Sequence, residues 1–426
     1  MIREFSVENY LSIRDKQTIN FVAKGPASEL VEEITDGVFL YKLGILFGAN
    51  ASGKSNMLIA LNTVFRMLVE PKSDSNKKIN GYIPFIPTKE SPTKMDISFY
   101  VGKIRYDYHV EFNDKTILKE ILNYYPNGFK SLFYERTYVA ENIQANIIIG
   151  PSLRLTEKTK ESIRENTLNN HSVLAVCVKN SFKEDIEPFN NLYNWIMSNY
   201  HEIDGDEDRS IIDILKRAYE DPRKRKFFNI MLCKADLNIL DYKPVFEERY
   251  LSKKFIDRIQ SEALPDSLKE QLLNPVKETV IFTNHSAAGS FDVPLRLQSK
   301  GTEKYIKILD ALFDMITGNH VYYLDELGED LHYDLLFYYI NAFLYNSDKS
   351  QLIITSQETS LLHQDLINDN RGVVWFVEKN RETASSVYSR GDSYGLHKNM
   401  SLYNSYRIGR LGAKPELGSI FIDLDN

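Results

Sequence analysis

The sequence is poor in the features that mark secreted and membrane proteins. It has 426 residues but only two cysteines, Cys177 and Cys233, so neither a disulfide framework nor a cysteine metal site is predicted. No apolar run approaches the roughly 18 to 20 residues of a membrane-spanning helix. The charged start of the chain also lacks the apolar core of a signal peptide. We therefore expect a cytoplasmic protein with no membrane partner.

The charge balance limits the function further. Lysine and arginine together number 52 against 59 aspartate and glutamate residues, which gives a net charge of −7. Any contact with nucleic acid must therefore come from a local basic patch. Hydrophobic residues make up 43% and charged residues 26%, as in ordinary folded proteins, so the chain is not predicted to be disordered. The length allows two or three domains, and the sequence contains no internal repeat or low-complexity tract.

The chain is organised around a complete G-x-x-x-x-G-K-S phosphate loop, Gly48–Ser55. The apolar run Tyr41–Phe47 before it suits a buried strand, and Asn56–Phe65 after it keeps apolar residues at helical spacing. Strand, loop and helix form the context in which this motif binds phosphate. The predicted nucleotide-binding residues of this segment are Gly48, Ala49, Asn50, Ala51, Ser52, Gly53, Lys54, Ser55 and Asn56.

Each part of the loop has a physical role in this prediction. Backbone N–H groups of the loop and of the helix N-terminus converge on one point, where they can bind polyphosphate oxygens. Gly48 and Gly53 let the backbone approach the ligand closely. Lys54 should reach the terminal phosphates and the Ser55 hydroxyl should ligate Mg²⁺, so the predicted cofactors are ATP and Mg²⁺.

A second motif, Val321–Glu326, is an apolar strand that ends in Asp-Glu, the Walker B pattern. Asp325 is predicted to hold Mg²⁺, directly or through water, and Glu326 to polarise the attacking water. Many buried strands end in acids, but the pairing with a phosphate loop makes the pattern informative. Gln351–Glu358 is another apolar strand with polar residues at its tip.

The remaining sequence predicts three parts. Residues 1–150 should form an N-terminal lobe with antiparallel strands, including a hairpin that turns at Gly102 and Lys103. Residues 151–278 should form a mostly helical insertion, and residues 279–426 a C-terminal lobe that contains the Walker B strand.

Most charged segments are predicted to be exposed to solvent. The basic run Arg223–Lys226 and the acidic loop Glu202–Asp208 are predicted to be solvated ends, with contact to nucleic acid or an acidic partner as the alternative for the basic run. Tyr403–Pro415 is predicted to be a basic loop, and Asp423 and Asp425 to belong to a solvated tail rather than a metal site.

The order of these motifs resembles an ABC-type ATPase head of the SMC, RecF and Rad50 kind. In particular it resembles the bacterial AAA15-type ATPases, which include the ATPase halves of phage-defence pairs such as RloA and AbiL. The resemblance covers roughly residues 1–125 and 280–415, with Gly48–Asn56 similar to the SMC-type phosphate loop and Asp325-Glu326 matching Walker B. It implies an α/β P-loop ATPase head with an antiparallel β subdomain and a mostly helical insertion.

Three further segments carry the resemblance. Ser299-Lys300-Gly301-Thr302 looks like a reduced ABC signature, S-x-G-T, Gly328–His332 falls on the D-loop, and Gly409–Pro415 resembles the family's C-terminal G-R-x-G-A-x-P segment. In such ATPases the signature serine and glycine, at a helix N-terminus, contact the γ-phosphate bound by the other subunit. The resemblance therefore implies a homodimer, or a higher homo-oligomer, that is closed by ATP.

The sequence departs from this family at the switch histidine, whose position falls on Gln357. Glutamine can hydrogen-bond a γ-phosphate or a water but cannot carry the positive charge of an imidazolium. With Glu326 and Lys54 as the other catalytic residues, we expect slow hydrolysis or a site that mainly senses ATP. No glutamine occupies a Q-loop position convincingly, so that ligand is unassigned.

The leading functional expectation is an anti-phage defence ATPase that holds, gates or activates a protein effector, a nuclease or a toxin. Only about a hundred residues follow Walker B, and the ATPase head needs them, so no nuclease domain is predicted within this chain. The alternative is a RecF-like or Rad50-like repair ATPase that binds DNA through Arg223–Lys226, Arg407 and Arg410. A third hypothesis is a scaffold protein that binds ATP and hardly hydrolyses it.

Overall fold

The computed structural model describes residues 1–71, 74–139, 144–180, 186–203, 210–235, 237–248, 252–262, 264–274, 276–286, 289–415 and 420–421. These residues form two compact units. The first unit comprises Met1–Glu202, Met315–Glu329 and Leu336–Asn426, and the second comprises Ile203–Asp314 and Asp330–Leu335. The chain is thus divided at other positions than 150 and 278. Asp423, Asp425 and the acidic loop beyond residue 203 lie outside the described residues.

The secondary structure alternates between sheet and helix along the chain. The strands are β1 (Ile2–Glu8), β2 (Gln17–Asn20), β3 (Val31–Thr35), β4 (Val38–Tyr41), β5 (Leu43–Phe47), β6 (Thr93–Val101), β7 (Ile104–Phe112), β8 (Ile117–Tyr125), β9 (Ser131–Val139), β10 (Gln144–Ile149), β11 (Tyr200–Glu202), β12 (Ile239–Glu248), β13 (Val276–Ser286), β14 (Gly289–Pro294), β15 (Val321–Leu324), β16 (Gln351–Ser356), β17 (Val374–Lys379) and β18 (Ser386–Arg390). The helices are α1 (Lys54–Val69), α2 (Glu157–Asn166), α3 (Val173–Lys179), α4 (Glu187–Asn199), α5 (Ile211–Glu220), α6 (Pro222–Lys234), α7 (Lys253–Ser261), α8 (Asp266–Leu273), α9 (Lys300–Thr317), α10 (Tyr333–Asn346), α11 (Asp365–Asp369) and α12 (Leu402–Arg407).

A six-stranded sheet of the first unit carries both sequence motifs, in the order β11-β15-β16-β5-β17-β18. The neighbours from β11 to β17 are parallel, and β18 closes one edge antiparallel to β17. β5, β15 and β16 are buried along their whole length, as expected of parallel strands that are covered on both faces. β16 lies between β5 and β15, so the carboxyl ends of these three strands meet at one edge, where α/β sheets bind ligands.

A seven-stranded antiparallel sheet completes the first unit, in the order β10-β9-β8-β7-β6-β1-β2. β6 and β7 pair as the predicted hairpin, with Gly102 in the turn at a φ of +58°. One apolar core joins this sheet to α1 and to the parallel sheet. In it Phe65 of α1 packs edge-on against Phe99 of β6, and Leu46 and Trp375 belong to the same cluster. The predicted α/β fold with an antiparallel β subdomain is confirmed.

A buried glutamine links the two sheets. Gln351, the first residue of β16, is fully buried. Its Oε1 accepts a hydrogen bond from the backbone N–H of Ile2 at 2.7 Å, and its Nε2 donates to the carbonyls of Ile2 and Tyr41 at 3.0 and 3.1 Å. One side chain thereby satisfies three backbone groups of β1 and β4 in the interior.

Replacing Gln351 by leucine should destabilise the first unit by about 3 kcal/mol or more, because each buried backbone group left without a partner costs roughly 1 to 3 kcal/mol. The measurement is urea unfolding followed by the fluorescence of Trp195 and Trp375, the two tryptophans of the chain, which both lie in this unit. Gln364→Leu serves as the control, since Gln364 makes no capping hydrogen bond at the start of α11. Equal destabilisation in both variants would contradict the assigned role.

The second unit combines helices with a three-stranded antiparallel sheet, β12-β13-β14. The sequence indicates strand character at Thr279–Thr283, within β13, but predicts neither β12 nor β14. In β12 a proline, Pro244, faces Val280 of β13, and a break in register follows Ile239. Proline and bulges obscure the alternation on which strand prediction depends. Among the described residues, no helix of either unit is long and apolar enough to cross a membrane.

The basic run Arg223–Lys226 forms the first turn of α6. Lys224 Nζ lies 2.7 Å from Asp310 Oδ1, and Arg225 donates to both carboxylate oxygens of Asp241 while its guanidinium lies over the ring of Tyr219. Two of the four cations are therefore engaged by acidic residues within the second unit. This supports a structural role for the run over a surface that binds phosphates.

Candidate functional site

The phosphate loop lies at the carboxyl edge of the parallel sheet, between β5 and α1. Its backbone turns sharply, with Ala51 at a φ of +61° and Gly53 at +105°. Residues other than glycine rarely adopt a φ near +105°, so the backbone conformation itself requires glycine at position 53. Such a turn directs consecutive N–H groups inward and forms an anion-binding concavity at the helix N-terminus.

The first half of the loop is closely packed against β17. A Cβ atom added to Gly48 would lie 2.3 Å from the carbonyl oxygen of Val377 and 2.9 Å from the Ser52 hydroxyl. That Ser52 hydroxyl is buried, and no described residue gives it a hydrogen-bond partner. An unpartnered buried donor within the loop fits a phosphate oxygen, because burying an unsatisfied hydroxyl is otherwise costly.

Lys54 is buried at the start of α1, where its ammonium faces the first residues of the loop. Nζ donates to the carbonyls of Gly48 and Ala49, both at 3.0 Å. Burial lowers the pKa of Lys54, and the charges of Glu326 and Asp325 oppose that shift. The two motifs are therefore electrostatically coupled, and a phosphate held by Lys54 would lie beside Gly48 and Ala49.

The Walker B acids lie directly beside the phosphate loop. Ser55 Oγ donates to Asp325 Oδ1 at 3.0 Å, across a sequence separation of 270 residues. The hydroxyl of Thr355, at the tip of β16, donates a short hydrogen bond to the same carboxylate oxygen and accepts one from the backbone N–H of Glu326 at 2.8 Å. A hydroxyl and a carboxylate side by side suit Mg²⁺, which takes a few oxygen ligands from protein and the rest from phosphates and water.

Glu326 and Gln357 follow neighbouring strands at this edge. Glu326 follows β15 with a left-handed φ of +49°, fixed by the bond to Thr355. Gln357 follows β16, is exposed, and lines a cavity of about 1030 Å³ together with loop residues 48–52. Thr355 was missed by sequence reasoning, although a polar residue at the tip of the strand between the two motifs was the available signal.

A chain of polar contacts supports the second half of the loop from behind. Ser386 Oγ donates to the carbonyl of Ser52 at 2.6 Å, and Tyr388 Oη donates to the carbonyl of Gly53 at 2.5 Å. Ser12 Oγ lies 2.6 Å from Ser386 Oγ and accepts from Asn56 Nδ2, also at 2.6 Å. The Asn56 side chain, which was predicted to bind the nucleotide, is thus directed at Ser12.

The C-terminal segment Gly409–Pro415 supports the first half of the loop. The carbonyl of Ala413 accepts from the backbone N–H of Ala49 at 3.0 Å, and the N–H of Ala413 donates to Glu378 Oε2 at 3.3 Å. The longer segment Tyr403–Pro415 was predicted to be a loop, but α12 (Leu402–Arg407) covers its first five residues. Tyr403–Arg407 were therefore wrongly placed, because a helix this short leaves little periodicity to detect.

The signature-like residues belong to the second unit. Ser299 precedes α9, and its Oγ accepts a hydrogen bond from the backbone N–H of Thr302 at 3.1 Å. A Cβ atom added to Gly301 would lie 2.7 Å from the carbonyl oxygen of Asp330. The segment therefore forms a capped helix N-terminus, as the resemblance implied, in a different compact unit from the phosphate loop.

A family model described as "AAA domain, putative AbiEii toxin, Type IV TA system" matches residues 45–363. That range includes the phosphate loop, the Walker B acids, Gln357 and the segment from Ser299 to Thr302. No curated protein sequence matches the chain.

Solved structures that resemble the chain include SMC head domains. The SMC head domain from Thermotoga maritima has a TM-score of 0.39 and 13% identity, with 91% of this chain and 98% of that chain covered. An Smc head domain with an extended coiled coil, bound to the C-terminal domain of ScpA derived from Pyrococcus furiosus, has a TM-score of 0.38 and 12% identity, with 96% and 98% covered. At such scores these likenesses support no functional conclusion.

Proposed function

Because the chain belongs to the family described as an AAA domain, putative AbiEii toxin of type IV toxin–antitoxin systems, we propose that it is an ATPase that acts as a nucleotide switch. The observation that carries this proposal is the hydrogen bond between Ser55 and Asp325, which joins the two motifs at one edge of the sheet. Side-chain packing alone does not explain why a hydroxyl, a carboxylate and a buried lysine lie together at an anion-binding loop.

Each residue of the site then has a defined task. The loop N–H groups and the Ser52 hydroxyl bind phosphate oxygens, and Lys54 neutralises the terminal phosphates. Ser55 and Asp325 would hold Mg²⁺, which would offset the negative charge that develops on the phosphates during hydrolysis. Glu326 accepts a proton from the attacking water, and Gln357 hydrogen-bonds the γ-phosphate or that water without supplying charge.

The proposed switch is a homodimer. If Ser299 and Gly301 contact the γ-phosphate held by another copy, one chain alone leaves its nucleotide incompletely bound. ATP would then bind the closed dimer better than the separate chains, which is the differential affinity that a switch needs. Hydrolysis would reopen the dimer.

The proposed output is control of a partner effector, a nuclease or a toxin, in anti-phage defence. The toxin–antitoxin wording of the family description supports this direction. A DNA-clamping repair ATPase is less well supported, because two of the four cations of the basic run pair with acidic residues in the second unit.

The dimer is tested by light scattering with ATP turnover measured alongside. Wild-type protein should double in mass with ATP, and Lys54→Ala and Ser299→Arg should stay monomeric at the same ATP concentration. Ser252→Arg is the matched control, since Ser252 also caps a helix of the second unit, accepting from Phe255 N–H at 3.3 Å. An oligomeric state that ignores ATP, or equal behaviour of the Ser299 and Ser252 variants, would contradict the proposed dimer.

A further inference from the structure

The cavity in front of the phosphate loop has a wall that carries positive charge. Lys379, the last residue of β17, lines this wall together with Asn380 and Arg381 of the turn that follows. Glu378 and Lys414 also line the cavity. Lys379 and Arg381 are both exposed.

This turn is held in a defined shape. Asn380 Oδ1 accepts from the backbone N–H groups of Glu382 and Thr383, both at 3.0 Å, and Asn380 N–H donates to the carbonyl of Ser385 at 2.8 Å. Side-chain caps of this kind reduce the conformational entropy that a charged turn must lose when it binds a ligand. The two cations are therefore displayed from a preorganised support.

The turn is also fixed relative to the phosphate loop. Lys379 pairs with Ser386 across the hairpin, and the Ser386 hydroxyl donates to the loop carbonyl of Ser52 at 2.6 Å. Val377 lies two residues before Lys379, and its carbonyl oxygen is only 2.3 Å from the position that a Cβ of Gly48 would take. The strand that carries the turn thus runs alongside the first half of the loop.

The cavity borders the first half of the phosphate loop. The Lys54 ammonium, which contacts the terminal phosphates in phosphate loops, bonds to the carbonyls of Gly48 and Ala49. Both of those residues line the cavity, as does Gln357. A γ-phosphate would therefore face the cavity that Lys379 and Arg381 line.

We propose that Lys379 and Arg381 bind the terminal phosphate of a nucleoside triphosphate, supplying from the same chain the positive charge that Gln357 lacks. This inference rests on the proposed function, since it assigns the γ-phosphate contact of the same site. Arg381 can offer two parallel donors to phosphate oxygens, and Lys379 a compact charge. The pair makes the site discriminate triphosphate from diphosphate.

The test compares ATP and ADP affinity by calorimetry in the presence of Mg²⁺, for wild type, Arg381→Gln, Lys379→Gln and the double variant. The double variant should bind ATP about tenfold more weakly with ADP affinity changed less than about twofold. Arg381→Lys should bind ATP more tightly than Arg381→Gln, because lysine keeps the positive charge. Lys130→Gln, in the turn between β8 and β9, is the matched control and should bind both nucleotides like wild type.

The outcomes separate this inference from the proposed function. If wild type binds ATP, Lys54→Ala abolishes that binding, and the double variant keeps the wild-type ratio of ATP to ADP affinity, then Lys379 and Arg381 do not contact the γ-phosphate. Equal loss of ATP and ADP affinity would also overturn the inference, since it would indicate a general electrostatic or structural effect. If wild type binds no nucleotide, the proposed function itself fails.

Discussion

Replacing Glu326 by glutamine should lower ATP turnover by about 100-fold or more, since general-base catalysis contributes roughly 10²- to 10⁴-fold. Glutamine keeps the size of the side chain but cannot accept a proton from water. The backbone of residue 326 should remain in place, because its N–H is held by Thr355. ATP binding should therefore change less than about threefold, a difference that only a transition-state contact produces. The measurements are steady-state turnover and ATP affinity on the same preparations.

Glu329→Gln is the matched control for this variant. Glu329 is an exposed carboxylate in the same loop, and its backbone N–H donates to the carbonyl of Glu326 at 3.0 Å. Its replacement should leave turnover within about twofold of wild type. If the Glu329 variant loses turnover and the Glu326 variant does not, the catalytic base has been assigned to the wrong residue.

Replacing Gly53 by alanine should weaken ATP binding by about 100-fold, because displacing reacting or binding groups by an ångström is enough for losses of that size. The new Cβ would lie 2.1 Å from Ser386 Oγ and 2.7 Å from Ser12 Oγ, at a backbone φ of +105°. Relief of this contact must move the loop carbonyls away from Ser386 and Tyr388. The binding site should therefore be lost while the fold of the first unit persists.

Gly102→Ala separates steric contact from backbone strain. Gly102 also has a positive φ, +58°, but nothing lies within 4 Å of the position its Cβ would take. Alanine there should cost about 1 kcal/mol of stability with no change in ATP affinity. Calorimetric titration and thermal unfolding of both variants make the comparison. Unchanged ATP affinity in Gly53→Ala would show that nucleotide does not bind at this loop.

The candidate site at the edge of the parallel sheet could be predicted because each of its motifs is a short run of consecutive residues. β5 and β15 are apolar runs and β16 has an apolar centre, and the polar residues at the carboxyl ends of such strands must lie at the edge where parallel strands end. The prediction that the phosphate loop and Asp325 act together needed no knowledge of the intervening chain. Gln357 was assigned through the resemblance, as the residue at the switch-histidine position, whereas position at a strand tip would have been the signal for Thr355.

The supports of the loop could not be predicted, for a physical reason. Ser386 and Tyr388 donate to loop carbonyls, which every residue possesses, so their identity leaves no motif. Ala413 alone lies in a segment, Gly409–Pro415, that the resemblance had singled out. Gln351 likewise satisfies backbone groups of distant strands, and a glutamine at the start of a strand usually reads as an exposed residue.

The division of the chain into two compact units could not be predicted either. Helical periodicity indicates which face of a helix is apolar, but not which surface covers it. Phe189 and Leu192 of α4 join the core of the first unit, so the segment after residue 150 belongs with the phosphate loop rather than with the insertion. The sequence could locate these helices without revealing their packing.

The placement of the loop supports has a consequence for biosynthesis. The phosphate loop leaves the ribosome long before Ser386, Tyr388 and Ala413 are made, since Ser386 follows Ser52 by 334 residues. Both neighbours of β5 in the sheet, β16 and β17, are also made long after β5 itself. A nascent chain that ends before them therefore has the motif without its geometry. Under the proposed function, ATP would bind only after these later segments have folded against the loop.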